Sequence, residues 1–312
     1  SREVVTSHSL PFQASWVPDV WGNISRAVEA NEAGAQASAG DLEAARLSAH
    51  AALAQSYFQL RALDAQQLLL EDTVAAYGQS LKLVQNQYAA GIAAKADVVQ
   101  AQTQIKSAQA QAIDIGAQRA PLEHAIALLS GKPPWELSLP RLPLKAAVPP
   151  VPAGLPSELL ERRPDIAAAE RRMAQANAQI GVATSAYFPA LTLSASGGYQ
   201  SATMADWLTA PSRFWSFGTA IAQSIFDGGL RRAQTAQAIA AYDASVAAYR
   251  QIVLTGFQQV EDSLATLRIL EREAEVQGEA VKSAEQALAL ALNQYKAGTV
   301  NYLNVVVAQA SA

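Results

Sequence analysis

Apolar residues recur along this chain at two different spacings. Over long stretches they fall three and four residues apart, as in Leu53, Tyr57, Leu60 and Leu63, and again in Leu81, Val84 and Tyr88. That spacing lines one side of an α-helix. Three short stretches alternate instead. ALTLSASGGYQ (190–200) sets Leu191, Leu193, Ala195 and Tyr199 against Thr192, Ser194, Ser196 and Gln200. FWSFGTAIAQSIF (214–226) sets Trp215, Phe217, Ile221 and Ile225 against Ser216, Gly218, Ala220 and Ser224. SLPFQASW (9–16) puts Leu10, Phe12, Ala14 and Trp16 on one side. Alternation of this kind predicts β-strands.

The pattern occurs twice. NQYAAGIAAKADVVQAQ (86–102) returns as NQYKAGTVNYLNVVVAQ (293–309), an offset of 207 residues. The same offset pairs Gly22 with Gly229, Leu60 with Leu267, Arg61 with Arg268 and Leu63 with Leu270. A register kept over so many residues is the mark of an internal duplication. Residues 19–120 and 212–312 contain no proline, whereas ten of the fourteen prolines lie between Pro121 and Pro164. Proline is costly inside a helix. The two copies are therefore expected to be helical, with a Pro-rich connector between them.

From Ile24 to Tyr88 only single glycines interrupt the helical pattern. At 1.5 Å per residue that predicts a helix of about 100 Å, the scale of a coiled coil or helical array. Gly91 and Gly298 then stand where one helical pattern ends and another begins. Glycine favours the left-handed conformation that follows a helix C-terminus. Each phrase is thus expected to be a helix–turn–helix hairpin, with a kink within one helix as the alternative.

The strands admit two readings. Nine to eleven residues, apolar on one side and polar or small on the other, fit a membrane β-barrel. Aromatics toward the ends (Trp21, Tyr187, Phe188, Tyr199, Trp207, Trp215) suit interfacial girdles. A small soluble sheet with one buried face shows the same alternation. Each strand adjoins a very long helix, which favours the barrel, but three strands cannot close one, and open edges cannot face lipid. The sequence therefore calls for several copies, for further strands, or for both. The repeat places the counterpart of 190–200 just ahead of Ser1. The opening SREVVTSHS and the closing VVVAQASA suggest a piece of a longer protein.

Composition narrows the chemistry. The chain has 312 residues, 50% hydrophobic and 16% charged, with a net charge of −4 and no cysteine. Few charges and many small residues suit long, close-packed helices. The charge does not suggest a nucleic-acid partner, and the lack of cysteine excludes disulfides and thiol nucleophiles. No continuous apolar stretch is long enough for a transmembrane helix. His8, His50 and His124 stand apart, without metal-ligand spacing. FDGGLRR (226–232) lacks the spacing of a phosphate loop and is expected to be a strand-to-helix hinge. ERRPDIAAAERR (161–172) is expected to start a solvated helix, with Pro164 in its first turn. No catalytic, cofactor or metal site is expected.

The segment LLERRPDIAAAERRMAQANAQIGVATSAYFPALTLSASGGYQS (159–201) closely resembles a hallmark of outer-membrane efflux channels of the TolC type, nearest the lipoprotein branch that serves tripartite drug and metal pumps. SIFDGGLRRAQ (224–234) and the paired NQYxAG phrases fit the same pattern, and the resemblance covers essentially the whole chain. It implies a mainly α fold with membrane β-strands: a homotrimer sharing a twelve-stranded barrel, continued by a long helical periplasmic tunnel. Residues 1–23 and 187–227 would supply barrel strands. Residues 24–130 would form the first helical repeat, with a tip near 88–97. Residues 131–164 would be the Pro-rich equatorial segment, 165–186 a helix leading to the barrel, and 228–312 the second repeat, with a tip near 295–304.

The resemblance further implies passive conduction of drugs or metal ions. The implied partners are a periplasmic adaptor, an inner-membrane pump of the RND type and the lipids of a Gram-negative outer membrane. The tip candidates are Tyr88, Gly91, Asp97, Tyr295, Gly298, Asn301 and Asn304. The girdle candidates are Tyr187, Phe188, Tyr199, Trp207, Trp215 and Phe217. Asp97 stands where the family often carries an aperture carboxylate, and it equally suits a helix N-terminus. Its second-copy equivalent, Asn304, is neutral, and Val300 is not the arginine of some members. Tyr88 and Tyr295 could hydrogen-bond across the tip or pack on neighbouring helices. A type I protein-secretion duct, a structural periplasmic coiled-coil protein and an enzyme with a helical lid are the competing expectations.

Overall fold

The computed structural model describes residues 6–143 and 162–312. In chain order it contains β1 (His8–Trp16), α1 (Asn23–Ala89), α2 (Lys95–Leu129), a 3₁₀ turn (Pro134–Glu136), α3 (Pro164–Ser185), β2 (Ala190–Ser201), a second 3₁₀ turn (Ala210–Ser212), β3 (Arg213–Ala222), α4 (Leu230–Lys296) and α5 (Tyr302–Ser311). Both α1 and α4 are 67 residues long. The chain divides into two compact units, residues 1–44 with 155–257 and residues 45–154 with 258–312. None of the described helices is long and apolar enough to cross a membrane.

In the first unit, β1, β2 and β3 form an antiparallel sheet in that order. The register puts like with like. Phe12, Gly197 and Trp215 form one row across the sheet, Ala14, Ala195 and Phe217 the next, and Trp16, Leu193 and Thr219 the one after. The opposite face carries the rows Gln13–Ser196–Ser216 and Ser15–Ser194–Gly218. There the Ser196 and Ser216 hydroxyls are hydrogen-bonded at 2.8 Å. Gly198 lies where a Cβ would sit 2.1 Å from the Leu10 carbonyl oxygen, so β1 can approach β2 only over a glycine.

The third strand is shorter than its alternation predicts. It stops at Ala222, paired with Ala190, so Ile225 lies outside the ladder. The next position on β2 is Pro189, which has no N–H to continue the pairing.

Helices leave the sheet through aspartate caps. The Asp19 carboxylate accepts the Ile24 and Ser25 N–H groups at 2.9 and 2.7 Å. The Ser25 hydroxyl also donates to it, and these bonds hold its carboxyl below the usual range. At the start of α4, Asp227 accepts from the Gly229 and Arg231 N–H groups at 2.9 and 3.2 Å. These bonds satisfy donors that a helix start leaves open. They also show how FDGGLRR turns a strand into a helix. Pro164 occupies the first turn of α3, where its missing N–H costs nothing.

Alanine sets the spacing of α1 and α3. Ala30, Ala33 and Ala37 are buried on α1, and Ala168, Ala169 and Ala178 on α3. A Cβ on Gly40 would lie 2.9 Å from the Ala168 Cβ and 3.1 Å from the Pro164 carbonyl oxygen. Small residues here are a steric requirement for close helix approach.

In the second unit a charged cluster fixes the chain beyond α2. Asp64, 1% exposed on its side chain, accepts from Arg61 Nη1 and Arg119 Nε at 2.8 Å each. Arg119 Nη1 reaches Glu123 at 2.8 Å and Nη2 the Leu139 carbonyl at 2.7 Å. Arg61 donates to the Pro140 carbonyl at 2.7 Å, and the Leu142 N–H donates to Asp64 at 3.2 Å. Four charged side chains thus grip the backbone of the extended segment 139–142.

This clamp explains how a helix carries the first of the clustered prolines: α2 runs through Pro121 to Leu129. Arg119 and Glu123 straddle that proline and are both tied into the clamp, so tertiary bonds offset a cost of about 3 kcal/mol. Of the Pro-rich segment, residues 144–161 lie outside the described residues. The expected helix seam also needs adjustment. Leu60 and Val84 are fully buried, but Tyr57 and Tyr88 lie at its exposed edge.

Two outcomes are expected. Replacing Gly40 with Leu overpacks the α1–α3 seam and should destabilise the protein by about 1–3 kcal/mol, measured by denaturant unfolding. Replacing Asp64 with Ala leaves Arg61 and Arg119 without their shared anion and should cost about 3–5 kcal/mol. Burial pushes the Asp64 carboxyl up, but the hydrogen bonds from Arg119, Leu142 and Arg61 and the Arg119 charge outweigh it, and the net displacement is downward. A depressed carboxyl stabilises the fold above its unfolded value of about 3.9. That stability is lost as pH falls through the lower folded value. The Asp64→Ala protein should therefore lose this part of its acid sensitivity, read as unfolding free energy against pH below about 4.

Candidate functional site

The duplicated phrases form two hairpins of the same construction. Gly91 has φ of 75° and Gly298 has φ of 73°, a left-handed conformation that L side chains resist. The N–H of Gly91 donates to Tyr88 O and that of Ile92 to Gln87 O, at 3.0 and 2.8 Å. In the second copy Gly298 donates to Tyr295 O and Thr299 to Gln294 O, both at 3.0 Å. The two turns close the last carbonyls of α1 and α4 in the same way.

The restart of the next helix differs between copies. In the first, the Asp97 carboxylate accepts the Ala94 backbone N–H at 3.3 Å. In the second, the Asn301 side chain accepts the Asn304 N–H at 3.3 Å. Positions 94 and 301 are equivalent, as are 97 and 304. Each copy therefore keeps one half of a reciprocal cap, and not the same half. Asp97 has a structural task at the start of α2, whatever else it does.

The hairpins of one chain share a core. Val84 and Ala101 of the first pack with Tyr295, Tyr302, Val305 and Val306 of the second. The rings of Tyr295 and Tyr302 are 5.4 Å apart. Burial, the main cause, and the nearby Tyr295, Tyr77 and Asp97 push the Tyr302 hydroxyl up to about 12, so it stays protonated at any ordinary pH. The Tyr295 hydroxyl is buried without a hydrogen-bond partner among the described residues. A further polar contact ties α5 to α1, where Gln309 Nε2 donates to Ser80 Oγ at 2.9 Å. A cavity of about 550 Å³ between the turns is lined by Ala93, Asp97, Val300 and Tyr302, among others.

The tip candidates thus separate. Tyr295 packs inward, while its equivalent Tyr88 is 47% exposed. Gly91, Gly298, Asn301 and Asp97 build the turns. Sequence reading missed Tyr302, Val305 and Gln309, whose apolar and glutamine pattern on α5 was visible in NYLNVVVAQ.

The girdle candidates all belong to the sheet region. Tyr187 and Phe188 precede β2, and Phe188 stacks on Trp21 at 4.7 Å. The Trp21 indole N–H donates to the Pro189 carbonyl at 2.8 Å. Tyr199 lies near the other end of β2, and Trp207 in the β2–β3 connection is 6.1 Å from His8. Trp215, Phe217 and Ile221 on β3 are 83, 68 and 71% exposed. Eleven residue steps from Ala190 to Ser201, at about 3.3 Å per residue and a tilt of about 45°, span roughly 26 Å, close to the apolar band of outer-membrane barrels. Among the described residues, no cluster of His, Asp and Glu is placed to hold a metal ion.

The outer membrane efflux protein family matches residues 1–132 and 155–312. Outer membrane protein OprJ of Pseudomonas aeruginosa is 34% identical over 296 residues, which is 94% of this chain and 62% of that protein. The pyoverdine export outer membrane protein OpmQ of the same species is 32% identical over 309 residues, 99% of this chain and 65% of its own length. The chain therefore spans less than two thirds of these relatives. The crystal structure of the outer membrane protein VceC from Vibrio cholerae superposes with a TM-score of 0.90 at 28% identity, over 98% of this chain and 73% of that one. With the duplicated hairpins, the two-faced sheet and these matches together, the chain belongs to the outer membrane efflux protein family.

Proposed function

We propose that this chain forms the main part of an outer-membrane exit duct in a tripartite efflux system. It would assemble as a homotrimer and conduct small molecules passively, with no catalysis of its own. A periplasmic adaptor and an inner-membrane pump would deliver the cargo to the hairpin tips. The observation that carries this reading is the sheet. One face is mainly exposed aromatic and aliphatic, and the other mainly serine, glutamine, glycine and alanine, with Phe214 at its end. A soluble sheet buries its apolar face, and this one leaves it open along three strands. Lipid on that face and water on the other account for both.

The kinship favours a small-molecule duct, since one relative is described as exporting pyoverdine. Neither a protein-secretion duct nor a purely structural coiled coil is favoured by those relatives. Phe188 and Trp21 would mark one membrane boundary, and Tyr199 and Trp207 the other. The substrate itself would be set largely by the pump.

The two faces predict opposite tolerance to charge. Phe217→Lys places an ammonium in lipid and should cost about 2–4 kcal/mol of barrel stability. It should abolish assembly in the outer membrane and drug export in an efflux-deficient host. Ser216→Lys, at the adjacent residue but on the polar face, should assemble normally and change only conductance. Equal tolerance at both positions, or a protein that stays soluble without detergent, would sink the barrel.

A further inference from the structure

All three strands meet their helices at one end of the sheet, and there the connections line a cavity of about 380 Å³. The link from β1 to α1 supplies Val17, Val20, Trp21 and Ile24, and the link from α3 to β2 supplies Phe188 and Leu191. The two links are fixed to each other. The Trp21 ring stacks on Phe188, and its N–H donates to the Pro189 carbonyl at 2.8 Å. Asn23 Nδ2 donates to Ser185 Oγ at 2.6 Å. The cavity is therefore held by the chain's own bonds, yet its apolar lining is not covered. Val17, Val20, Trp21, Ile24 and Phe188 are each about half exposed.

One charge stands in this lining. Asp19 accepts from the Ile24 and Ser25 N–H groups and the Ser25 hydroxyl, which keep it an anion. Among the described residues no lysine or arginine pairs with it. Its Oδ1 takes a single N–H at 2.9 Å, and a carboxylate oxygen has room for a second donor. An anion beside an apolar cavity, without a counter-ion, favours a cationic occupant. The end of β3 adds neutral donors. The Gln223 amide is held only by a 3.4 Å bond to the Tyr187 carbonyl, and the Ser224 hydroxyl also lines the cavity. Both suit a phosphate oxygen.

We propose that this cavity binds the head group of a phospholipid that carries an ammonium, as phosphatidylethanolamine does. The ammonium sits at Asp19, the phosphate at Gln223 and Ser224, and the acyl chains run along Leu191 and Ile221. The occupant follows from continuity with the apolar face of the sheet. Leu191 lines the cavity and is also in register with Ile221, which is 71% exposed on that face. A free amine would satisfy Asp19 and leave the apolar lining in water. A lipid with an anionic head group would bring its charge to a carboxylate. The volume suits a head group and not a whole lipid, so the chains stay in the bilayer. A lipid held in this way fixes the depth at which the three strand-to-helix junctions meet the membrane. The site rests on the barrel of the exit-duct reading.

The test places the full-length protein in nanodiscs with equal amounts of phosphatidylethanolamine and phosphatidylglycerol. Mass spectrometry then identifies the lipid that stays bound on release into detergent. Phosphatidylethanolamine should be retained over phosphatidylglycerol by up to about fivefold, the reach of one exposed ion pair. Asp19→Asn keeps an oxygen for the N–H groups at the start of α1 and should bring the ratio to parity. Val20→Arg sets a cation beside Asp19 and should turn the preference toward phosphatidylglycerol. Should Asp19→Asn fail to fold, Val20→Arg carries the test alone. Inserted protein that retains neither lipid, or both equally, overturns the site. A preference that survives in the folded variants overturns it too, because the lipid then binds elsewhere. Protein that never enters the nanodisc removes the barrel itself, and the site with it.

Discussion

A helix of 67 residues cannot fold a core around itself. Each segment of α1 and α4 can only offer a stripe, and every stripe must find another element to cover it. The fold is governed by that constraint. Near the sheet, α1 meets α3 through alanines and Gly40, where no larger side chain fits. Farther along, α1 meets α2 around the fully buried Leu60 and the Asp64 clamp. At the tips, four helices share one core of tyrosine and valine. Between residues 261 and 283 every residue of α4 is exposed, Leu267, Ile269, Leu270 and Val276 included. Among the described residues, no other element of the chain covers that stretch of stripe.

Much of this architecture is legible in the sequence because both periods are strong. The alternation in ALTLSASGGYQ and SLPFQASW locates two strands and their faces, and the register joins those faces row by row. The third strand ends earlier than its pattern because alternation continues to Ile225, whereas pairing stops where the partner reaches Pro189. A one-strand pattern cannot see its partner's missing donor. The place of Pro121 inside α2 has a related cause. Its local cost is real, but Arg119 and Glu123 on either side are held from a distance by Asp64 and Leu139. Single-chain periodicity carries no trace of a bond between residues 55 positions apart.

The turns are legible at the glycines and less so around them. Gly91 and Gly298 had to follow a helix end, and their φ values are left-handed. Asp97 suits an aperture or a cap, and sequence alone does not choose. Its bond to the Ala94 N–H, mirrored by the bond from Asn304 to Asn301, shows two ways to satisfy one requirement. A duplicated gene keeps the need for a capped helix and lets either end of the box supply it. The paired tyrosines are ambiguous because equivalence in sequence does not bring equivalence in environment. Tyr88 and Tyr295 occupy the same place in the repeat, yet only one is buried against the other hairpin of its chain.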